Sequence, residues 1–326
     1  MPRRKKGQPV HGWVIVDKPQ GMTSTQVVGA VRRIFDAQKA GHAGTLDPMA
    51  TGVLAVALGE ATKTVPYAMD SEKTYRFTAH WGEARDSDDA EGAVTGTSDV
   101  RPSREAIEAA IPALVGSIVQ VPPVYSAIKI QGERAYDLAR DGEAVELAPR
   151  TVEVYEAHLV EIPDPDHAVF EMRCGKGTYV RAWVRDIAKA LGTLGHVSQL
   201  RRTRVGAFTE EMSTPIEQLR QELPENKLAR EGSSVHIPAA LEHLRPLSTA
   251  LDGIPALAVT GPDAVRLRSG NPILIRANQF ARIAESQSEG DDLQGLTVFL
   301  QTSEGEPVAL AEFVQGELRP FRVFNL

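Results

Sequence analysis

The sequence predicts an α+β protein, with a large N-terminal region of mixed strands and helices followed by a small β-rich unit. Two observations carry that prediction. Up to about residue 208, strand-like apolar stretches outnumber helical ones and fall in no regular βαβ order, which disfavours a doubly wound sheet. From 254 onward, short strand-like pieces at 257–259, 273–275, 296–300 and 308–313 are separated by glycine and acidic turns. Between these regions, 218–253 is polar with a broken apolar pattern. The 326 residues thus divide into a main domain (10–217), a connector (218–253) and a terminal unit (254–326).

Residues 12–18 (Gly-Trp-Val-Ile-Val-Asp-Lys) read as a short strand ending in a Pro19-Gln20-Gly21 turn. Ser24 then caps a helix whose apolar positions Val27, Val28, Val31, Ile34 and Phe35 keep helical spacing. Next comes Gly41-His42-Ala43-Gly44-Thr45-Leu46-Asp47-Pro48-Met49-Ala50-Thr51-Gly52, then the apolar run 53–58, of the length of a buried strand. A short helix is expected at 61–69. In 73–81, Tyr75, Phe77, Ala79 and Trp81 alternate with Thr74, Arg76, Thr78 and His80, the pattern of a half-buried strand.

A helix follows at 104–114. Pro122-Pro123 makes a stiff turn that runs into a strand by Lys129, and 133–140 is expected to be helical. Two strands, 151–162 and 167–174, flank the turn Pro163-Asp164-Pro165-Asp166. Thr178 is expected to cap a helix that buries Val180, Trp183, Val184, Ile187 and Leu191 and places Arg181 and Arg185 on another face. A strand over 197–208 carries Arg201, Arg202 and Arg204.

Composition excludes several classes. With 42% hydrophobic and 24% charged residues, the chain is of ordinary globular type, without an apolar run long enough to span a membrane and without an export signal. Cys174 is the single cysteine, which excludes an internal disulfide and a cysteine zinc cluster and fits a reducing cytoplasm. The net charge of −7 disfavours a nucleic-acid partner only if charge is evenly spread. It is not: bases dominate 1–40 and 173–204. Either these segments form one positive face, or they are scattered solvated charges; the sequence leaves both readings open.

Motif tests narrow the chemistry. In the acidic run 86–92, Glu91 stands where a calcium loop needs its glycine, and Thr97 where it needs its last acid. Gly175-Lys176-Gly177-Thr178 lacks the upstream glycine of a phosphate loop, since Phe170 holds that position. The histidines show no metal-ligand spacing, so no metal is expected. Asp47 remains, in a tightly turned loop on a rigid support. It has two readings: a turn-forming Asx residue, or an ionised nucleophile or base whose pKa a nearby arginine would lower.

Six blocks in register resolve the choice by resemblance. Asp17-Lys18-Pro19-Gln20-Gly21-Met22-Thr23-Ser24 with Gly41–Pro48, Leu58-Gly59-Glu60-Ala61-Thr62-Lys63, Lys73-Thr74-Tyr75-Arg76, Pro122–Ala127, Gly175-Lys176-Gly177-Thr178-Tyr179-Val180-Arg181 and Leu200-Arg201-Arg202 resemble the bacterial tRNA pseudouridine-55 synthase (TruB) family over roughly 12–208. The resemblance implies a mixed, largely antiparallel catalytic sheet of pseudouridine-synthase type and a PUA-like RNA-binding terminal domain. It implies a cytoplasmic, monomeric isomerase that converts uridine 55 of the tRNA TΨC stem-loop without cofactor, guide RNA, protein partner or membrane. A non-catalytic RNA-binding protein or tRNA folding chaperone, and a guide-dependent synthase, are the alternatives. The family's catalytic aspartate falls on Asp47, its base-stacking tyrosine on Tyr75 and its aspartate-pairing arginine on Arg181. Tyr179 and Leu200 match uracil-pocket residues, and His42 the histidine that fills the space left by the extruded nucleotide. Lys18, Lys63, Arg201 and Arg202 are the expected phosphate contacts.

Overall fold

The computed structural model describes residues 7–126, 128–130, 133–134, 147–221, 241–285 and 292–326. The N-terminal half supplies β1 (Gly12–Lys18), β2 (Ala40–His42), β3 (Thr51–Leu58), β4 (Lys73–Trp81), the hairpin β5 (Glu83–Arg85) and β6 (Val94–Thr97), β7 (Gly116–Gln120), and a second hairpin of β8 (Lys129–Ile130) and β9 (Glu133–Arg134). After these come β10 (Arg150–Asp164), β11 (His167–Cys174), β12 (Gly195–Val205), β13 (Phe208–Thr209), β14 (Thr214–Pro215) and β15 (Leu244–Arg245). Eleven of the described strands build one sheet, whose main path runs β14-β1-β3-β12-β4-β11-β10-β7. Its pairs are antiparallel except β1–β14 and β3–β12. The fold is α+β on a mixed, largely antiparallel sheet.

Side-chain alternation along β1 feeds two cores. Val14 and Val16 join Leu54, Val56 and Leu58 of β3 on one face, beneath the helix α1 (Ser24–Ile34). Trp13 and Ile15 join Val53, Ala55 and Ala57 on the other. Both faces of β3 are therefore covered, which is why its sequence is continuously apolar rather than alternating. Strand β4 does alternate: Phe77, Ala79 and Trp81 are buried while Arg76 is exposed. Phe77 and Phe170 meet the Trp183 ring at 5.7 and 5.3 Å, on the helix that carries Arg181.

The described helices are α1, α2 (Val65–Asp70), α3 (Arg104–Ala110), α4 (Val180–Ala190), α5 (Ile216–Gln221), α6 (Gly261–Arg268) and α7 (Ala277–Glu285). Several local expectations need correction. Thr23, not Ser24, caps α1, in a capping box with Gln26; Ser24 is the first helical residue. The helix expected at 61–69 is a 3₁₀ turn (Gly59–Lys63) followed by α2, which starts around Pro66. The helix at 104–114 tightens to 3₁₀ from Ile111, next to Pro112. Tyr179 rather than Thr178 precedes α4, and the Thr178 hydroxyl donates instead to the Gly175 carbonyl at 3.1 Å. Glu133–Arg134 pairs with Lys129–Ile130 as a strand, not a helix, and the rest of 133–140 lies outside the described residues. At Gly206 the strand expected over 197–208 turns back, with φ +53°, into the β12–β13 hairpin.

The terminal unit is a five-stranded sheet of β16 (Ala256–Val259), β17 (Ile273–Leu274), β18 (Thr297–Thr302), β19 (Pro307–Val314) and β20 (Glu317–Val323), in the order β16-β18-β19-β20-β17. Phe299, Leu310 and Phe324 enter the same core as Trp13, Val53 and Phe208, so the two sheets are joined by apolar packing. Among the described residues no helix is long and apolar enough to cross a membrane.

Candidate active site

Asp47 heads a turn closed by its own carbonyl, which accepts from the Ala50 amide at 3.1 Å. Three elements pin that turn. From β1, the Lys18 ammonium donates to the carbonyls of Pro48 at 3.1 Å and Ala50 at 2.6 Å. From α1, the Ser24 hydroxyl donates to the Leu46 carbonyl at 3.0 Å and accepts from the Leu46 amide at 2.9 Å. From β12, Arg202 donates to Val53, Gly44 and Thr45 carbonyls at 2.9, 3.1 and 3.4 Å. Gly52 lets β3 pass directly over Arg202: its φ is +96°, and an added Cβ would lie 2.2 Å from the Arg202 carbonyl oxygen. The loop is held by side chains reaching its backbone, which leaves the Asp47 carboxylate for other work.

That carboxylate faces Arg181 of α4. Arg181 is 3% exposed and lies between two acids, with Nη2 2.9 Å from Asp47 and Nη1 3.2 Å from Asp89. Its fork also donates to the carbonyls of Tyr125 and Ser87, each at 2.8 Å. Asp89 is fixed in turn, its Oδ1 accepting from the Ser87 hydroxyl at 2.6 Å and the Glu91 amide at 3.1 Å. The guanidinium is thus anchored on one carboxylate and presented to another, a geometry a lysine cannot reproduce.

The Asp47 side chain is 32% exposed, and it opens into a cavity of about 410 Å³ lined also by Arg181, His42, Thr23, Tyr125, Ser126 and Glu91. The volume lies within the range of pockets that enclose one small molecule. Burial pushes the Asp47 carboxyl above its usual pKa; Arg181 and Lys18 oppose that shift and Asp89 adds to it. The sequence-based expectation of a lowered value is therefore corrected: desolvation outweighs the arginine. Burial takes Lys18 down to about 8, opposed first by the Asp47 charge. Burial, then the Arg202 charge, also lowers His42, which keeps the imidazole neutral near pH 7; its buried Nδ1 has no hydrogen-bond partner.

Of the six residues expected at the site, Asp47, Arg181 and His42 line this cavity; Tyr75, Tyr179 and Leu200 do not. Tyr75 stands on β4 opposite Arg202, with a phenol pKa raised by burial, lowered by the charge and hydrogen bond of Arg202 and sensitive to Asp47. Tyr179 precedes α4 with the Arg150 guanidinium 5.3 Å from its ring centre. Leu200 is 7% exposed, in the core beside Phe77.

Each of the four expected phosphate contacts has partners within the protein. Lys18 and Arg202 are buried, at 0% and 1% exposure, and spend their donors on the Asp47 loop. Lys63 pairs with Glu60 at 2.6 Å and donates to the Val323 carbonyl at 2.7 Å, tying the terminal strand to the main domain. Arg201 forms a two-pronged pair with Asp17 at 3.0 and 3.1 Å and a further pair with Glu210. These charges are already neutralised within the protein. Arg32, Arg33 and Lys39, from the first basic segment, are exposed. Asp89 escaped sequence reasoning because its run was tested only as a calcium loop, and nothing local links it to a helix ninety residues onward.

An acidic residue and a doubly anchored arginine thus face one cavity, on a mixed, largely antiparallel sheet. An H/ACA ribonucleoprotein structure with a substrate RNA containing 2′-deoxyuridine shares that fold at TM-score 0.70 and 22% identity, over 100% of this chain and 92% of that one. A Cbf5-Nop10-Gar1 complex matches at TM-score 0.66 and 25% identity, over 96% and 84% of the two chains. Residues 32–180 match the model of the TruB family pseudouridylate synthase N-terminal domain, and 181–252 that of the tRNA pseudouridylate synthase B C-terminal domain. The tRNA pseudouridine synthase B of Bradyrhizobium diazoefficiens is 55% identical, covering 99% of this chain and 88% of its own. That of Caulobacter vibrioides is 52% identical over the full length of both. The chain belongs to the TruB family of pseudouridylate synthases.

Proposed function

We propose that the protein isomerises uridine 55 in the TΨC loop of tRNA to pseudouridine, as a single chain in the cytoplasm without guide RNA or cofactor. The observation that carries this is the Asp47 carboxylate, held 2.9 Å from a buried arginine and facing a cavity of about 410 Å³. The reaction breaks the bond between ribose C1′ and uracil N1, turns the base and joins C1′ to C5. The proton on C5 is lost and N1 gains one, so no oxidant or reductant enters. A stacked uracil hides these atoms, so the nucleotide must leave the loop, at a cost of about a few kcal/mol.

Asp47 is the catalytic residue, whether it adds to the ribose or the ring or promotes elimination at C1′. Arg181 holds it and Asp89 holds Arg181. Neutral His42 fills the space that the flipped nucleotide vacates, which a charged imidazole would do at greater desolvation cost. Tyr75, Tyr179 and Leu200 join the uracil pocket in the RNA-bound state, with Tyr75 stacking on the base and accepting its C5 proton. The terminal unit, 254–326, acts as a PUA-like RNA-binding domain toward the acceptor side, next to the main domain (10–217) and connector (218–253). Exposed Arg32, Arg33 and Lys39 are the better candidates for phosphate contact. Full-length relatives named tRNA pseudouridine synthase B favour this reading over a guide-dependent enzyme or a non-catalytic binder.

Incubation of the purified protein with unmodified tRNA transcript, followed by pseudouridine mapping, tests the reading. Product at position 55 without added guide is expected. Product elsewhere, or only with a guide RNA, would overturn it.

A further inference from the structure

On the far side of β4 from the core, three imidazoles lie in one cross-strand row. Register pairs His80 of β4 with His167 of β11 on one side and with His196 of β12 on the other. The His80 ring stacks on His167 at 4.7 Å and meets His196 edge-on at 4.9 Å. Glu83, just after the turn that ends β4, brings a carboxylate to the same place. One ligand atom each from His80, Glu83 and His196 lies within 4.8 Å of the other two.

Three features go beyond proximity. The His196 Nδ1 sits 2.9 Å from the Glu83 backbone carbonyl, which fixes a proton on Nδ1 and leaves Nε2 as a lone-pair donor. His196 is also 2% exposed, so its orientation is set by packing. Both Arg85 contacts to Glu83 fall on Oε1, at 2.6 and 2.7 Å, leaving Oε2 outside that pair.

We propose that His80, Glu83 and His196 bind a divalent transition-metal ion of the Zn²⁺ type, with two nitrogen ligands and one oxygen ligand and the remaining position open to water. Two imidazoles and a carboxylate form a donor set suited to that ion rather than to Ca²⁺ or Mg²⁺, which require oxygen shells. A tetrahedral ion with bonds of about 2.0–2.2 Å holds its donors roughly 3.4 Å apart, so closure takes side-chain rotation of about an ångström. His80 and Glu83, both half-buried, have that freedom while His196 stays fixed. His167, hydrogen-bonded to Asp164 at 2.8 Å, backs the His80 ring. The site sits at the root of the loop that carries Asp89, because Arg85 also donates to the Ala90 and Gly92 carbonyls at 3.1 and 2.9 Å. Sequence spacing hid this set: its members come together only through strand register.

Zn²⁺ titration of the tag-free full-length protein against a chromophoric chelator tests the site. One equivalent is expected to bind, with affinity lost by at least about tenfold in His80→Asn and in Glu83→Gln. His158→Ala, an exposed side chain on β10, should bind as the parent does. Far-UV circular dichroism keeps the variants comparable, and Co²⁺ substitution should give the intense visible bands of a tetrahedral site. Failure to bind one equivalent at micromolar Zn²⁺, or unchanged affinity in folded His80→Asn and Glu83→Gln, would show that the row is only a packed histidine stack.

Discussion

Arg181 makes the residue-scale case, since its fork is shared by Asp47 and Asp89 and a point charge cannot serve both. Arg181→Lys is expected to lower turnover by at least about 10²-fold, the scale of a lost charge-stabilising donor, with tRNA affinity largely kept; near-parental single-turnover rates would refute the pairing. Asp89 also sets a pH signature. It adds to the burial that raises the Asp47 pKa, and the proposed role of Asp47 requires the ionised carboxylate. The rate therefore falls as pH drops through a value above the usual carboxylate range. In Asp89→Asn that acid limb should move to lower pH, even if the maximum falls; a pH–rate profile of kcat/KM reads it directly. From sequence, Asp47 stood out as the acid in a glycine-rich turn, but its pairing with Arg181 came only by resemblance. The net upward shift was illegible, because desolvation depends on what closes over a group and not on its neighbours in the chain.

At the scale of elements, legibility followed locality. Strand β1 and the alternation of β4 were read to the residue, since side-chain period is a local property. The cap of α1 was missed by one position, because Thr23 and Ser24 both suit the role and only the bond to Gln26 separates them. The partners of the four expected phosphate contacts were illegible for a tertiary reason: a lysine bound for solvent and one spent on three backbone carbonyls look alike in sequence. The Asp47 loop depends on that buried framework. Gly52→Ala would place a methyl against the Arg202 backbone at a left-handed φ, straining by about 1–3 kcal/mol or more and lowering the melting temperature by several degrees. Gly41→Ala, with open space around the added carbon, should melt like the parent. Equal melting temperatures in calorimetry would contradict the close approach.

Over the whole molecule, the charge distribution bears on the proposed grip on RNA. The net charge is −7, and much of the second basic segment is neutralised internally: Arg173 by Glu72, Lys176 by Asp70, Arg185 by Asp88 and Arg201 by Asp17. Arg201→Gln should therefore leave the slope of log affinity against log salt unchanged, whereas losing a true phosphate contact would reduce it by about 1; a reduction of that size in filter-binding titrations would restore Arg201 as an RNA contact. The two sheets share one core through Trp13, Val53, Phe299 and Phe324, which fixes the terminal unit in place relative to the main sheet. All of this positions one carboxylate, and the most direct test is the single-turnover rate of Asp47→Asn on unmodified tRNA, measured with binding in parallel. Binding within a few-fold of the parent, with pseudouridine formation at position 55 slowed by about 10³-fold or more, is the predicted result. Isomerisation at the parental rate by a folded, tRNA-binding Asp47→Asn would contradict the account.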